Sequence, residues 1–544
     1  MDGDINIAVL VPASRDASNL LCNPKTSIVR KIFIEYVYFV RKNIDEINKN
    51  KDFLKNVRLG YVFMDTCTLQ SSALKHALKL IPRNENSNEN CNESNSGMAY
   101  YDVQAVISGA GSSETLPLAN ILSRFSIPIL SPFASSDDLS DKARYEYFSR
   151  LISPDKYQAD ALTDFLLEFQ WNYISLIFLE GSYGENGAKQ IRKQAKKKSI
   201  CIAIDEMIST EDYKADVIRI VKKLKENKKA RVIVAFLFIT VADEFYLMMD
   251  KFDIAKEKIV VGSDAMIYAR TPRTVQLRAI NSFGVTTAGK DVKGGFQYFS
   301  DLNPANNSSF LLIKDYWASL FDCSWSNNAT NPCDPHKNFT LANVSIEATA
   351  SFNDCLMVFV QAIDRIIKRN CPNATGVQVR KCIRGRIFLD EIRKGTFETS
   401  QGQIQFDEKG DVIGGYNLVQ FFENNFVQVI GSWSRKRSGI DFVSNVSWSD
   451  SDQPKSLCSE PCPPKHYFIQ KAVVCCWDCR KCRNNEILVL NKTACKECPE
   501  FYWPDEKEAL ECLPIDPESL KWADPETIIL LSLAVFGICK QLTL

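Results

Sequence analysis

The sequence predicts an α/β protein with two lobes, each built on an open and mostly parallel sheet. From about residue 5 to 430, almost wholly apolar runs of strand length alternate with longer segments of helical spacing. Apolar strands of this kind are typical of parallel sheets that helices cover on both faces. The stretch exceeds the length of one such sheet, so two lobes with a cleft between them are the economical solution.

The predicted elements follow one another along the chain. The strands are INIAVLV, VRLGYVFM, VQAVISG, IPILSPF, YISLIFL, RVIVAFLFI and KIVVGSD, and helical spacing marks intervening segments such as QADALTDFLLEFQ and KADVIRIVKKLKE. Ligands of open α/β sheets bind at the carboxyl ends of the strands, so we expect the binding site in the loops there.

Polar stretches interrupt this pattern. Residues 84–97 predict a surface loop, and residues 444–456 predict a linker. The Asn/Ser-rich stretch 303–343 contains Cys323 and Cys333 and predicts a glycosylated insertion held by a disulfide bond.

Charge and histidine content argue against several functions. Lys and Arg total 66, as do Asp and Glu, so the net charge gives no reason to expect a nucleic-acid partner. The three histidines are far apart in the chain, which provides poorly for a Ser/His/Asp relay or a histidine metal site. We therefore expect no enzymatic activity, no cofactor and no metal.

Cysteine content and glycosylation signals indicate a secreted or extracellular protein. The chain has 19 cysteines, nine of them between Cys458 and Cys512. Asn-x-Ser/Thr triplets, the predicted glycosylation sites, begin at Asn92, Asn306, Asn307, Asn328, Asn338, Asn343, Asn373, Asn445 and Asn491. The two signals together favour an oxidising compartment and disulfide bonds.

The two ends of the chain predict missing segments. The start, MDGDINIAVLVP, has no charged region followed by an apolar signal core, so we expect a trimmed N-terminus. Ile528–Cys539 is apolar for 12 residues, whereas a spanning helix needs about 20. We interpret residues 526–544 as the start of a truncated transmembrane helix; the alternative is a short buried C-terminal helix.

The nine clustered cysteines have the spacing C-x3-C-x12-C-C-x2-C-x2-C-x12-C-x2-C-x13-C. A zinc ribbon is the alternative, because Cys476-x2-Cys479 and Cys495-x2-Cys498 have the spacing of zinc knuckles. The pattern resembles the nine-cysteine domain of family C G-protein-coupled receptors, which joins a Venus-flytrap module to the membrane helices. DLSDKARYEYFSRLISPDKYQADAL, WNYISLIFLEGSYGENG, VVGSDA, FDEKGDVIGGYNLVQF, WDCRKC and YWPD resemble segments of metabotropic glutamate receptors in the same order.

The resemblance implies a bilobal periplasmic-binding-protein type I (Venus flytrap) module followed by a small disulfide-rich β domain. The implied division is lobe 1 at 4–149 and 290–421, lobe 2 at 150–289 and 422–450, and the nine-cysteine domain at 451–515.

The resemblance also implies cysteine pairs. These are Cys22–Cys67, Cys323–Cys333, Cys371–Cys382, Cys201–Cys475, Cys458–Cys476, Cys462–Cys479, Cys482–Cys495 and Cys498–Cys512. Cys91, in the polar loop, matches a cysteine that joins two protomers, and its alternative is a free thiol. Cys355 is expected to be a small buried apolar residue.

An α-amino acid needs hydroxyl and N–H groups for its carboxylate, and a carboxylate with an aromatic face for its ammonium. Ser113, after VQAVISG, and Ser135, after IPIL, match the family positions that hold the carboxylate. Asp155, Tyr183 and Asp264 match those that hold the ammonium from lobe 2.

The part of the site that would hold a distal carboxylate departs from the family. Glutamate receptors hold that group with an Arg and a Lys, whose positions fall near Ile32 to Tyr36 and about Ala348 here. Arg30 and Lys31 are close but displaced, and Phe133 stands where a small polar residue is usual. We expect an amino acid ligand other than glutamate.

The function that the resemblance implies is ligand sensing at the extracellular side of the plasma membrane. The lobes close around an amino acid, and a homodimer passes the change to a membrane domain and a heterotrimeric G protein. The alternatives are an enzyme-linked receptor with a similar ligand-binding module and a secreted decoy that binds ligand without signalling.

Overall fold

The structure is a computed structural model. It describes residues 3–15, 28–29, 31–50, 53–81, 100–266, 272–287, 304–305, 313–326, 328–337, 346–400, 402–422, 427–435, 439–448, 453–516 and 519–542. The chain forms two compact bodies that divide between Ser456 and Leu457. The first body is mixed α/β with parallel sheets and the second contains a small disulfide-rich β domain, so the predicted fold class is confirmed.

The described strands of the first body are β1 (Ile5–Val11), β2 (Ser14–Arg15), β3 (Ile28–Val29), β4 (Leu59–Asp65), β5 (Ala105–Ser108), β6 (Ile129–Ser131), β7 (Phe148–Arg150), β8 (Tyr173–Leu179), β9 (Cys201–Ile208), β10 (Val232–Phe236), β11 (Ile259–Gly262), β12 (Ser282–Thr287), β13 (Phe397–Thr399), β14 (Gly402–Ile404), β15 (Gly415–Phe421), β16 (Val427–Ser434) and β17 (Asp441–Phe442). Its described α-helices are α1 (Lys31–Lys49), α2 (Gln70–Lys79), α3 (Ser112–Arg124), α4 (Asp155–Glu168), α5 (Ser182–Lys197), α6 (Tyr213–Glu226), α7 (Ile239–Lys251), α8 (Pro272–Asn281), α9 (Ile313–Phe321), α10 (Ile346–Asn370), α11 (Val377–Cys382) and α12 (Arg386–Lys394).

Lobe 1 is built on a five-stranded parallel sheet in the order β4-β1-β5-β6-β7. All seven residues of β1 are buried, because helices cover both faces of the sheet. Helices α1, α10 and α12 pack on one face, and α2 and α3 pack on the other. This two-sided cover explains why the strands have no polar alternation in sequence.

Lobe 2 is built on an eight-stranded sheet in the order β17-β16-β15-β12-β11-β10-β8-β9. Helices α4 and α5 cover one face, and α6, α7 and α8 cover the other. The predicted lobe 1 range of 290–421 is wrong at its end, because Gly415–Phe421 forms β15 of the lobe 2 sheet. The physical reason is that Tyr416 and Leu418 are buried in the apolar core of lobe 2.

Two passages of the chain between the lobes lie side by side. One follows β7 and leads into α4, and the other connects β14 with β15. The backbone N–H of Arg150 donates to the carbonyl of Gly410 (2.9 Å), and the N–H of Val412 donates to the carbonyl of Arg150 (3.2 Å). The Arg150 Nε donates to Asp411 Oδ1 at 2.7 Å, and both side chains are almost completely buried. These two crossings are therefore joined by backbone and side-chain bonds.

The second body begins with three two-stranded antiparallel ladders and ends in a helix. Its elements are β18 (His466–Gln470), β19 (Trp477–Lys481), β20 (Glu486–Val489), β21 (Ala494–Glu497), β22 (Tyr502–Pro504), β23 (Cys512–Pro514) and α13 (Pro525–Leu542). The buried apolar residues are few and four of them are cysteines, so disulfide bonds take the place of a large core.

Five of the implied disulfide bonds are present. They are Cys323–Cys333, Cys458–Cys476, Cys462–Cys479, Cys482–Cys495 and Cys498–Cys512. Cys67, Cys201 and Cys475 are also disulfide-bonded. The expected partner of Cys67, Cys22, lies outside the described residues, as does Cys91, and the pairing of Cys201 with Cys475 stays a prediction.

The predicted Cys371–Cys382 bond is not formed, and this expectation is corrected: both residues are thiols. Burial and the neighbouring Cys382 thiol raise the pKa of Cys371 to about 12. The two thiols are in hydrogen-bond contact but not covalently joined, so the pair is a dithiol in this structure. Cys355 is a buried thiol in the lobe 1 core, as expected.

Helix α13 has 18 residues with a mean hydropathy of 1.4, and none of them is buried. By length and composition it is long and apolar enough to cross a membrane, which by itself is weak evidence that it does so. The apolar run Ile528–Cys539 lies within it, and residues 543–544 lie outside the described residues.

Candidate functional site

The five predicted ligand-binding residues all follow strands at the carboxyl edges of the two sheets. In lobe 1, Ser113 follows β5 and Ser135 follows β6; in lobe 2, Tyr183 follows β8 and Asp264 follows β11. Asp155 follows β7 of lobe 1 and begins α4, a helix of lobe 2. Carboxyl ends of parallel strands meet at one edge of a sheet, so this placement brings together groups that are distant in sequence.

In lobe 2 a tyrosine and an aspartate form the first part of the site. The Tyr183 hydroxyl donates to Asp264 Oδ1 at 2.6 Å. The Tyr183 ring is buried, and burial together with the Asp264 charge raises the pKa of its hydroxyl well above the usual value. Burial also raises the pKa of Asp264, although the Tyr183 hydroxyl partly offsets this effect.

Asp155 is the second carboxylate of the site and is completely buried. Burial, followed by the negative charge of Asp264, raises its pKa well above the usual value. Two neighbouring acids disfavour each other's charged forms. A cation between them would remove that cost.

The Asp155 carboxylate lacks well-formed hydrogen bonds. Neither of its oxygens, nor the Ser135 hydroxyl, has a partner of normal geometry among the described residues. The Ser135 hydroxyl lies near enough to lower the Asp155 pKa, but only in part. Buried polar atoms without partners are rare in folded proteins, and at this position they indicate a site for a ligand that donates hydrogen bonds.

The lobe 1 part of the site consists of the start of α3 and the loop after β6. The N-cap of α3 is Gly111, which has no side-chain oxygen to occupy the first N–H groups of the helix. The Ser136 N–H donates to the Ser112 hydroxyl at 3.1 Å, so the loop after β6 is bonded to the helix start. Hydroxyl groups beside a helix N-terminus suit an anion such as a carboxylate.

The two lobes touch each other at this site. Asn186, in α5, donates from Nδ2 to Ser136 Oγ at 2.9 Å. A Cβ added at Gly181 would lie 3.3 Å from Ser113 Oγ. The Asp155 N–H donates to the Ser135 carbonyl at 2.9 Å. The Ser113 and Ser135 positions of lobe 1 are therefore close to the Asp155 and Tyr183 side of the cleft.

A buried arginine supports the loop that carries Ser135. Arg150 donates from Nη1 to the carbonyls of Ala134 (3.1 Å) and Ser136 (2.8 Å) and from Nη2 to the Ser140 hydroxyl (2.6 Å). The Arg150 guanidinium lowers the pKa of Asp411, against the effect of burial. The loop is thus bonded to Arg150, which lies in one of the two paired crossings and forms an ion pair with Asp411 in the other.

Sequence reasoning missed Gln158 and Tyr416. Gln158 is fully buried, lies three residues after Asp155 on the same helix face, and is close enough to lower the pKa of Asp264 and Tyr416. The three-residue spacing was a usable signal. Tyr416, in β15, donates from its hydroxyl to the Ser153 carbonyl at 3.1 Å. Its place could not be found from sequence, because it depends on a strand pairing distant in the chain.

A cavity of about 640 Å³ lies next to the site, on the α5 side of the cleft. It is lined by Gln70, Asp138, Phe178, Gly181, Ser182, Glu185, Asn186, Lys189, Arg192 and Met207. It meets the site at Gly181 and Ser182, but none of the five predicted residues lines it. Two cations line it, Lys189 and Arg192; both are exposed, and Arg192 forms an ion pair with Asp205.

Comparison with known proteins identifies the family of this chain. A family model described as the receptor family ligand binding region matches residues 40–424, which is more than half of the chain. The chain belongs to this receptor family. A second model, the nine cysteines domain of family 3 G-protein-coupled receptors, matches residues 453–504. The two matches in this order make the chain a metabotropic glutamate receptor-like ectodomain of family C.

Two similar proteins of known name are metabotropic glutamate receptors. The chain is 29% identical to mouse metabotropic glutamate receptor 4 over 570 residues, covering 100% of this chain and 61% of the receptor. It is 27% identical to rat metabotropic glutamate receptor 8 over 561 residues, covering 99% of this chain and 61% of that receptor. The family C ectodomain described here thus spans 61% of the length of these relatives.

The cysteines of the family C domain are in the disulfide state. All nine cysteines from Cys458 to Cys512 are disulfide-bonded, which leaves none of them as a thiolate ligand for zinc. Cys482 and Cys495 lie beside Glu486, but they are bonded to each other. The zinc-ribbon alternative is therefore not supported.

Proposed function

We propose that this ectodomain senses an α-amino acid by closing its two lobes around it. Asp155, Tyr183 and Asp264 hold the ammonium group from lobe 2, and Ser113 and Ser135 hold the carboxylate from lobe 1. A ligand that contacts both lobes favours the closed form, because some of its contacts exist only there. The protein performs no chemistry on the ligand.

The observation that carries this proposal is the acid pair formed by Asp155, which is fully buried, and Asp264, which is partly buried. Both have raised pKa values, and the Asp155 oxygens lack well-formed partners among the described residues. An ammonium group donates three hydrogen bonds and carries the positive charge that this pair lacks. Tyr183 supports the assignment, because its hydroxyl fixes Asp264 and its ring forms an aromatic wall beside the same carboxylate.

Signal transfer is the second part of the proposal. The nine-cysteine domain would pass closure to a membrane domain and a heterotrimeric G protein, with the predicted Cys201–Cys475 bond as the rigid link. We place the ectodomain on the extracellular side of the plasma membrane. Four described sequon residues are exposed, as glycosylation requires: Asn328, Asn373, Asn445 and Asn491.

Dimerisation through lobe 1 is the third part. Leu74 and Leu78 are exposed on α2, with 36% and 49% of their surfaces accessible. Helix α2 ends shortly before the polar loop that contains Cys91. An apolar helix face that is followed along the chain by a cysteine suits a homodimer that an intersubunit disulfide bond completes.

The test is a thermal-shift screen of the ectodomain against the proteinogenic amino acids. A ligand at about 100 times its Kd stabilises the folded form by about 2.7 kcal/mol, so binding raises the melting temperature. Asp264→Ala and Ser113→Ala should abolish this shift. Asp250→Ala is the control, because it removes an exposed carboxylate paired with Arg273 and should leave the shift intact. An unchanged shift in the first two variants would contradict the assigned site.

A further inference from the structure

An aromatic cluster of the lobe 1 core lies against the loop that carries Ser135. Tyr36 of α1 stacks on Phe352 of α10, with ring centroids 4.7 Å apart. Phe133 lies 5.7 Å from Tyr36 and 5.6 Å from Phe352. Tyr36 and Phe352 are buried, whereas Phe133 is only partly buried and belongs to the loop that carries Ser135. Phe133 is thus the member of the cluster that lies nearest to the residues assigned to the ligand carboxylate.

The glycine loop before α3 passes against this cluster. A side chain at Gly109 would collide with the ring of Phe352, so the loop and the ring are in direct contact. Two residues later, Gly111 precedes the helix start that we assign to the ligand carboxylate. A ligand anchored at this helix start therefore lies beside the aromatic cluster of lobe 1.

A second aromatic ring faces the same loop from lobe 2. Phe238 follows β10, the strand between those that end at Tyr183 and Asp264. Its ring stacks on Tyr183, with centroids 5.2 Å apart and an angle of 14° between the planes. A Cβ added at Gly111 would lie 3.9 Å from the Phe238 ring. Phe238 is 43% exposed, which leaves apolar ring surface uncovered at the ammonium-binding residues.

The Phe133 cluster of lobe 1 and the Phe238 ring of lobe 2 determine which side chain of a ligand fits between them. Apolar side chains gain from covering exposed aromatic surface, and aromatic pairs gain further from stacked or edge-to-face contact. A carboxylate side chain placed between the same rings loses water without gaining a partner, and an ammonium side chain recovers only part of its lost hydration from a ring face. The position therefore favours an uncharged side chain.

We infer that the ligand is an α-amino acid with an apolar side chain, branched aliphatic or aromatic, which lies between Phe133 of lobe 1 and Phe238 of lobe 2. This inference rests on the proposed function and adds the chemical class of the ligand. Phe133 and Phe238 select the side chain, and the polar groups hold the α-amino acid part that all candidates share.

The first measurement compares the affinities of glycine, leucine, phenylalanine, glutamate and lysine for the glycosylated ectodomain by isothermal titration calorimetry. Leucine or phenylalanine should bind at least tenfold more tightly than glycine, because one or more apolar groups in a matching pocket contribute factors of about ten or more. Glutamate and lysine should bind more weakly than either. If glutamate or lysine binds most tightly, the inferred ligand class is wrong and the proposed amino-acid site stands.

The second measurement repeats the titrations with Phe238→Ala. The affinity for leucine or phenylalanine should fall at least tenfold, while that for glycine changes less than about threefold, since glycine makes no side-chain contact. Phe125→Ala is the matched control, because Phe125 is similarly exposed (44%) but lies at the opposite end of α3. An equal loss for glycine and phenylalanine in Phe238→Ala would overturn the role of this ring in selection.

Phe133→Lys tests the lobe 1 wall by adding a cation to it. The affinity for glutamate should rise relative to that for leucine, and a ratio equal to that of the unchanged protein would count against Phe133 as a selecting residue. If no amino acid binds to the unchanged protein, the proposed function itself fails, which is a result distinct from a change in rank order.

Discussion

At the residue scale, Asp155 connects the candidate site with the pH dependence of stability. Its folded-state pKa is raised by burial and by Asp264, so the folded protein holds a proton that the unfolded chain releases. The free energy of unfolding therefore falls as pH rises from the ordinary carboxyl range, near 4, through the raised pKa of Asp155. An ammonium ligand reverses this, because it stabilises the charged carboxylate.

Asp155→Asn should therefore stabilise the ligand-free protein at pH 7 and abolish amino-acid binding. The neutral amide removes the cost of a buried charge, and it also removes the counter-ion of the ammonium. Melting temperatures between pH 4 and 8 check this: the gain over the unchanged protein should be largest at the high end and vanish toward pH 4. Glu168→Gln, at the exposed end of α4, is the control and should show no such trend. A variant that is less stable than the unchanged protein at pH 7 would contradict the argument.

The strand-end positions of the five predicted site residues could be found in sequence, because each residue has a motif around it. The Tyr183–Asp264 bond joins two such loops, and their parallel strands bring them together. The Arg150–Asp411 pair had no such signal, since 261 residues separate its members and nothing local marks them as partners. For the part of the site that would hold a distal carboxylate, the sequence showed only that the Arg and Lys of glutamate receptors are missing. The aromatic cluster beside it could not be predicted, because it depends on the packing of α1 against α10.

At the scale of elements, the position of Tyr183 depends on how closely α5 approaches its sheet. A side chain at Gly184 would overlap the Leu179 carbonyl, and one at Gly187 would overlap the Phe236 ring. Helix α5 therefore lies directly on β8 and β10 through these glycines. Tyr183 is the residue before the first of them, so the close approach fixes where its hydroxyl reaches Asp264.

Gly187→Ala should destabilise the protein by about 1–3 kcal/mol, because the added methyl group meets a fully buried aromatic ring. In an unconstrained helix the same change would stabilise by up to about 1 kcal/mol. The sign of the change in urea denaturation therefore separates the two effects. Gly414→Ala, where a Cβ would meet its nearest atom at 3.4 Å, is the control and should be close to neutral. A stabilised Gly187→Ala variant would show that α5 can move away from the sheet.

The sequence predicted the strands and helices themselves better than it predicted which strands pair with each other. YISLIFL is β8 residue for residue, and KADVIRIVKKLKE lies within α6, because both patterns depend on local spacing. Strand β15 follows elements of lobe 1 and was assigned there. Its antiparallel pairing with β12 is a non-local contact, which spacing along the chain does not encode.

At the scale of the whole molecule, covalent bonds between protomers are the remaining prediction. Cys91→Ser should run as a monomer on a non-reducing gel where the unchanged protein runs as a dimer, because Cys91 is the residue proposed to join the protomers. Cys539→Ser is the control, since Cys539 is an exposed cysteine at the other end of the chain. A dimer band that persists in Cys91→Ser and disappears in Cys539→Ser would assign the bond to α13 instead.

The bonded crossings at Arg150 and Asp411 also affect how closure can be observed. Two segments that are hydrogen-bonded along their backbones and share a buried ion pair bend together, and one cannot slide past the other without breaking both sets of bonds. These bonds favour a rotation about an axis through the paired segments as the movement that would close the lobes. One fluorescent donor on α2 and one acceptor on α6 should therefore follow the whole transition as a single change in energy transfer, with no second distance required.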